Sequence, residues 1–296
     1  MARTITRTIP LHTYLLLLLL VGSTYALAEK STYRYWLGNG VPGSQAYYLA
    51  VAAEALALTE PEYGPWQVAQ YDRKISVLRA RRAMDRGEFD FHATTVLPSE
   101  FTESGRLIVP HPLQFGLLGY RNLLIRKEDE ARFAKITSPS QLGKLKAGLG
   151  QGWPDVQVLR ENQLAVVESA TFQQLFPMLV AKRFDYIPLG VEEIDATLTS
   201  VQPKYPDIVQ SHAVMLVYPL PVYFLVCGCR PELAERLALG LERIHSSGRL
   251  HALFAQFKGP AIEKISEPWS FVMRATNSQQ THFDIDKESV EVNFVP

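Results

Sequence analysis

The sequence predicts an α/β protein of two lobes, each a sheet flanked by helices, with two extended crossovers as a hinge. Three observations carry this. Residues 110–127 (PHPLQFGLLGYRNLLIRK) form a mostly apolar stretch with prolines at its start and glycines in its middle. Prolines exclude helix, and glycines suit a strand that leaves one sheet for another. Strand–helix alternation with short connections stands on both sides of it, which predicts largely parallel, helix-covered sheets. A second apolar stretch, residues 214–226, is broken by Pro219 and Pro221 and brings the chain back. Taken alone, residues 110–127 would also suit one buried strand of a single sheet. The repeat of the α/β series beyond them favours two lobes.

Residues 1–28 read as a signal peptide. Arg3, Arg7 and His12 precede an unbroken apolar run at 14–21, and Ala26-Leu27-Ala28 gives a small-residue exit before Glu29. The run is too short to span a bilayer. No cysteine stands at the expected cleavage point, which argues against lipid attachment there. A chain exported to a bacterial periplasm, with no membrane span after cleavage, is expected. Thirty acidic and thirty basic residues balance, so there is no electrostatic footprint for nucleic acid. The only cysteines, Cys227 and Cys229, lie in V-C-G-C-R. Closing so short a loop would strain the backbone, which favours two thiols over a bond. His92, His111 and His212 lack ligand spacing, and a C-x-C pair has too few ligands for zinc. Neither metal nor cofactor is expected.

In chain order, residues 32–37 alternate as a strand and end at Gly38-Asn39-Gly40, after which Ser44 caps a helix carrying Tyr47, Leu49, Val51, Ala52, Leu56 and Leu58. A turn at 60–65 and a strand at 66–69 follow. Ile75, Leu78, Ala83 and Met84 mark a helix, and residues 89–95 a short strand. Past the crossover, Ser138-Pro139 opens a short helix and residues 146–150 a strand. Gln151-Gly152 turns into a helix with Pro154 as its first residue. A strand at 165–168, a helix from Thr171 through Ala181 and a strand at 184–188 complete the second series. Pro231 then starts an amphipathic helix with Leu233, Leu237, Leu241 and Ile244, and Leu250, Leu253, Phe254 and Phe257 form one more. From Gly259 the chain turns polar, and residues 282–295 alternate weakly, as a loose edge strand or a disordered tail. The first lobe is assigned 29–118 and 220–258, the second 119–219, and a C-terminal extension 259–296.

Several pieces of this order resemble a family. They are Arg86-Gly87-Glu88-Phe89-Asp90 before the third strand, Ser138-Pro139-Ser140-Gln141-Leu142 opening the second lobe, Gly150-Gln151-Gly152, Ala181 to Tyr186, and Pro231-Glu232-Leu233-Ala234 through Gly248. In order and spacing over 33–257 they resemble bacterial periplasmic solute-binding proteins of the polar-amino-acid type, which have the type II periplasmic binding fold. The resemblance implies reversible capture of a small solute between closing lobes, usually for delivery to an ABC permease; a monomer is expected. Amino-acid binders of that family carry T-x-x-R after the third strand, the arginine gripping the ligand's α-carboxylate. Here Thr94-Thr95-Val96-Leu97-Pro98-Ser99-Glu100 has no arginine, so the resemblance supports the fold more than an amino-acid ligand.

Ligands of α/β sheets settle beyond the carboxyl ends of strands. That selects Asn39, Tyr71, Thr94 and Thr95 in the first lobe, which serve equally well as caps or packing. In the second it selects Gln151, Gly152, Trp153 and Asp155. A glycine-flanked turn before a helix offers N–H groups to an anion, and Trp153 offers a ring. Asp155 favours the helix dipole and repels an anion. Gly190 stands at a strand end, and Glu192 is either an acid for a ligand amine, as the resemblance implies, or a capping acid. There is no G-x-S-x-G, H-E-x-x-H or P-loop lysine, so an enzyme is not expected. An exported hydrolase using Glu100, Glu103, Asp155 or Glu192 is the least favoured reading. A stand-alone sensor or accessory module of the same fold is the alternative to transport; neighbouring permease genes would separate the two.

Overall fold

The computed structural model describes residues 30–38, 42–95, 105–278, 280 and 288–293, so the leader 1–28, Asn39 and the stretch 96–100 lie outside the described residues. Along the chain come β1 (Ser31–Trp36), α1 (Pro42–Leu58), β2 (Trp66–Tyr71), α2 (Val77–Asp85), β3 (Phe91–Thr95) and β4 (Leu107–Ile108). After β5 (Tyr120–Arg126) and β6 (Lys146–Gly150) follow α3 (Pro154–Glu161), β7 (Ala165–Ser169), α4 (Phe172–Val180), β8 (Tyr186–Gly190) and α5 (Ile194–Val201). Then come β9 (Ile208–Val217), β10 (Val222–Val226), α6 (Pro231–Ser246), α7 (Arg249–Ile265) and β11 (Phe271–Arg274). One sheet has the order β2-β1-β3-β10-β4 and the other β11-β9-β5-β8-β6-β7. The first three strands are parallel, as their helical connections require, and β10 returns antiparallel to β3. In the second sheet β6 is parallel to β7 and β8, and β5 runs antiparallel to β8 and β9.

Apolar stripes of α1, α6 and α7 close over the first sheet, with Tyr47, Val51, Ala55, Leu237, Leu241 and Phe254 buried together. The two helices α1 and α6 approach so closely that a Cβ on Gly240 would stand 2.4 Å from the Ala55 carbonyl oxygen. The helix α1 begins at Pro42, ahead of the Ser44 cap expected, because proline suits a first turn whose N–H groups have no intrahelical partner. Likewise α7 runs past Gly259 and Pro260 to Ile265, since Ala261 and Ile265 still have core to bury. The edge strand is Phe271–Arg274, pairing parallel to β9, ahead of the alternating tail.

Both crossovers are present, but the first is not one extended strand. Val109 and Leu113 donate to Phe224 and Val222, the chain turns at Gly116 (φ 69°) and a single 3-10 turn (Leu117–Gly119) leads into β5. The second passes from β9 through Tyr218 to β10. They lie side by side: the Tyr218 N–H donates to the Gly119 carbonyl at 3.2 Å. A Cβ on Gly119 would stand 1.9 Å from the Tyr218 oxygen, so only glycine fits.

Cys227 and Cys229 correct the thiol expectation: they form a disulfide, with Cα atoms 5.1 Å apart. The pair sits in a turn rather than on a strand face, the Arg230 N–H donating to the Cys227 carbonyl at 2.9 Å. Gly228 makes the turn feasible, because its missing side chain would collide with the Gly105 oxygen at 1.6 Å.

Beside this turn, Asp90 ties β1, β3 and the start of α6 together. Its side chain is fully buried and accepts from the Arg34 backbone N–H at 2.7 Å, from Arg34 Nη2 at 2.8 Å and from Arg230 Nε at 3.3 Å. Burial opposes its ionisation, yet the Arg34 bonds outweigh burial and hold its pKa below the ordinary value. A carboxyl depressed in the fold stabilises above its unfolded pKa of about 3.9, and that stability is lost as pH falls through the folded value. Denaturant unfolding should therefore lose free energy steadily from about pH 4 downward, and Asp90→Asn should flatten that acid limb. An unchanged acid limb in the variant would remove Asp90 from this role.

Candidate ligand-binding site

The turn after β6 meets the start of α2, the helix that follows β2. A Cβ on Gly152, just past β6, would come 4.0 Å from Cγ of Leu78 in the first turn of α2. Beyond β8, Glu192 is bound to Lys258 of α7, both side chains at most 6% exposed. The Lys258 ammonium lies 5.2 Å from the ring centre of Tyr47 and 5.6 Å from that of Tyr48, both on α1. This pair ties α7 to the end of β8.

On the second-sheet wall, Arg121 stands at the start of β5 and is 6% exposed. Its Nη2 lies 2.7 Å from Oδ1 of Asp155, and its Nη1 lies 3.4 Å from Oε2 of Glu193. The Tyr218 hydroxyl donates to the same Asp155 oxygen at 2.6 Å. Glu193 also accepts the Gly190 N–H at 3.1 Å. Burial pushes the Glu193 carboxyl above its ordinary range, further than Arg121 draws it down, and Glu192 adds to the rise.

Two N–H groups of the turn between β6 and α3 already have carbonyl partners. Gln151 donates its N–H to the Ser169 carbonyl at 2.9 Å and Trp153 to that of Gly150 at 3.1 Å. The Trp153 ring covers Gly150, whose missing Cβ would lie 2.5 Å from it, and sits beside Phe172 at 6.0 Å between centres. Gln151 and Gly152 are exposed. In the first sheet, Thr94 and Thr95 are half-buried and pair with Tyr223 and Val222 of β10. The Tyr71 hydroxyl donates to Glu88 at 2.7 Å.

Of the residues selected from sequence, Asp155 and Gly190 come together around Arg121, and Gln151, Gly152 and Trp153 share one turn opposite Leu78. Tyr71 instead belongs to the Glu88 side of α2. Neither acid is available to a ligand cation while it holds its partner: Asp155 holds Arg121 and Glu192 holds Lys258. Sequence reasoning missed Arg121, Glu193, Tyr218 and Lys258. The signal for Arg121 was a guanidinium inside an otherwise apolar crossover, a position that demands a buried partner. Lys258 had none, since it stands in a polar-looking helix end. His92 packs against Trp36 at 5.1 Å, and burial brings it down to about 3, a neutral core residue.

No protein-family model matches this sequence, and no curated protein matches it by sequence. Solved structures do. An ancestral arginine-binding protein bound to glutamine superposes with a TM-score of 0.56 at 14% identity, over 78% of this chain and 100% of that one. A Salmonella typhimurium periplasmic binding protein of high arginine specificity gives 0.53 at 13%, over 77% and 98%. The GluR0 ligand-binding core in complex with L-glutamate gives 0.51 at 13%, over 78% and 99%. The fold is that of the two-lobed periplasmic binding proteins. In a periplasmic-binding-protein fold the space between the lobes is the cleft. At these identities the likeness is one of fold alone.

Proposed function

We propose that the chain is an extracytoplasmic solute-binding protein that takes a small polar solute between its lobes and delivers it to an ABC permease. The observation that carries this is two sheets whose β6–α3 turn and α2 start meet, joined by two adjacent crossovers that touch at Gly119 and Tyr218. Such an arrangement supports closure by rotation about a few crossover residues. Thr94, Thr95, Gln151 and Gly152 supply polar contacts in this reading, and Trp153 an apolar edge. Standard amino acids bind poorly. The stretch after β3 has no arginine for the α-carboxylate, and the acids that would meet the amine are already paired with Arg121 and Lys258. One missing charge-assisted bond costs a few kcal/mol, about a hundredfold in affinity.

A calorimetric screen of the standard amino acids is therefore expected to be silent below about millimolar concentration. Mass spectrometry of small molecules released from the purified protein should identify the solute unchanged. That solute should make the protein more compact by small-angle scattering. Submicromolar binding of a standard amino acid would refute the ligand class, and a verified ligand without compaction would refute closure.

A further inference from the structure

Arginines crowd one hollow outside the cleft. Between Asp72 and Glu88 the chain has six basic residues (Arg73, Lys74, Arg79, Arg81, Arg82, Arg86) against three acids (Asp72, Asp85, Glu88), a surplus of three in a protein whose net charge is zero. Four of these arginines, Arg73, Arg79, Arg82 and Arg86, line a hollow of about 230 Å³, together with Glu88 and the apolar floor of Ile75 and Ala83. Arg79, Arg82 and Arg86 are spaced three and four residues apart, which stacks like charges along one face and destabilises a helix. The hollow's one carboxylate, Glu88, pairs with two of the four. Glu88 accepts from Arg86 Nε at 2.9 Å, from Arg73 Nη1 at 3.2 Å and from the Tyr71 hydroxyl at 2.7 Å. Those bonds, Tyr71's first and then Arg86's, hold its pKa below the ordinary value. Among the described residues Arg79 and Arg82 have no acid partner. Asp85, at the end of α2, is engaged by Arg106 at 2.8 Å.

We propose that this hollow is a second binding site, for a small phosphate-bearing anion, separate from the inter-lobe cleft. Guanidinium forks match phosphate oxygens in pairs, and four converging forks exceed what one carboxylate neutralises. The volume suits a pyrophosphate or a small phosphate ester. Because the guanidinium groups are exposed, their attraction is screened, and binding should be of moderate strength and strongly salt-dependent. None of Thr94, Thr95, Gln151 or Trp153 lines the hollow, so occupancy there does not require the cleft solute.

Calorimetric titration with inorganic pyrophosphate at low ionic strength tests this on the full chain. Binding in the range of about 10–100 μM is expected, weakening at least tenfold between about 20 and 200 mM salt. The double variant Arg79→Ala/Arg82→Ala should bind at least tenfold more weakly while keeping its melting profile, since both side chains are on the surface. Arg82→Lys keeps the charge but loses the fork, and should lie between. Arg183→Ala removes an exposed positive charge from the other sheet's surroundings and should change nothing. A pyrophosphate titration silent to about 10 mM, or one identical in the double variant, overturns the proposal. Co-sedimentation with phosphatidylglycerol vesicles without any pyrophosphate binding also overturns it, because the patch would then read a membrane surface.

Discussion

Replacing Arg236 with methionine should cost the fold about 3 kcal/mol, a drop of roughly 6–12 °C in melting temperature for a chain of this size. Arg236 lies in α6 and is fully buried, with no carboxylate partner among the described residues. Its charge is held by neutral groups. Nη2 donates to the carbonyls of Leu56 and Gly64, each at 2.9 Å, Nε to the Thr59 hydroxyl at 3.1 Å, and Nη1 to the Tyr33 hydroxyl at 3.3 Å. Tyr33 and Tyr63 lie with ring centres 5.8 and 5.6 Å from the guanidinium carbon. Leu56 is in the last turn of α1, so the cation closes a helix end whose carbonyls lack intrahelical donors and whose dipole favours positive charge. Burying an unpaired cation costs several kcal/mol. Four bonds from a charged donor, at about 1.5–3 kcal/mol each, exceed that cost. Methionine fills a similar volume but removes the charged donor from the Leu56 and Gly64 carbonyls and from the Thr59 and Tyr33 hydroxyls, leaving Leu56 only the weaker bond from the Thr59 hydroxyl at 3.2 Å. Arg236→Lys should recover only part of the loss, because one ammonium cannot reach acceptors arranged for a fork. A methionine variant within about 0.5 kcal/mol of the parent in denaturant unfolding would show that desolvation cancels the bonds.

The fold was legible because its punctuation is local. Pro219 and Pro221 forbid helix, Gly119 permits the close crossing, and apolar residues at period two or near 3.6 mark the strands and helices between. The bend of the first crossover was not legible. It depends on Phe115 at φ 46° and Gly116 at φ 69°, positions where only the glycine announces itself. The Cys227–Cys229 bond was missed for a related reason. A C-G-C triplet reads equally as a strand face or a turn, and the Gly105 carbonyl packed against Gly228 decides between them. Strand-end rules selected Asp155, Gly190 and Glu192, but could not say what they touch. Their partners lie 34 residues away in Arg121 and 66 away in Lys258, separations at which no periodicity links two side chains.

Truncating Lys258 should be nearly as damaging, and, unlike the loss of Arg236, partly reversible by a solute. The Lys258–Glu192 pair is buried on both sides and connects α7, packed on the first sheet, to the end of β8 in the second. Removing one member of such a pair leaves an uncompensated charge and typically costs about 3–5 kcal/mol, whereas removing both costs much less. Lys258→Ala should therefore be far less stable than the double variant Lys258→Ala/Glu192→Gln. In the single variant the Glu192 carboxylate faces the rings of Tyr47 and Tyr48 across the space that the lysine chain occupied. Aromatic faces opposite a carboxylate make a slot for a small primary ammonium ion. Propylamine at about 100 times its dissociation constant should restore some 2.7 kcal/mol to Lys258→Ala by binding only the folded state. It should do nothing for the parent or the double variant. Equal stabilisation of all three proteins by propylamine would mark a general solvent effect. A single variant no less stable than the double would mean that the pair does not hold α7 to the end of β8.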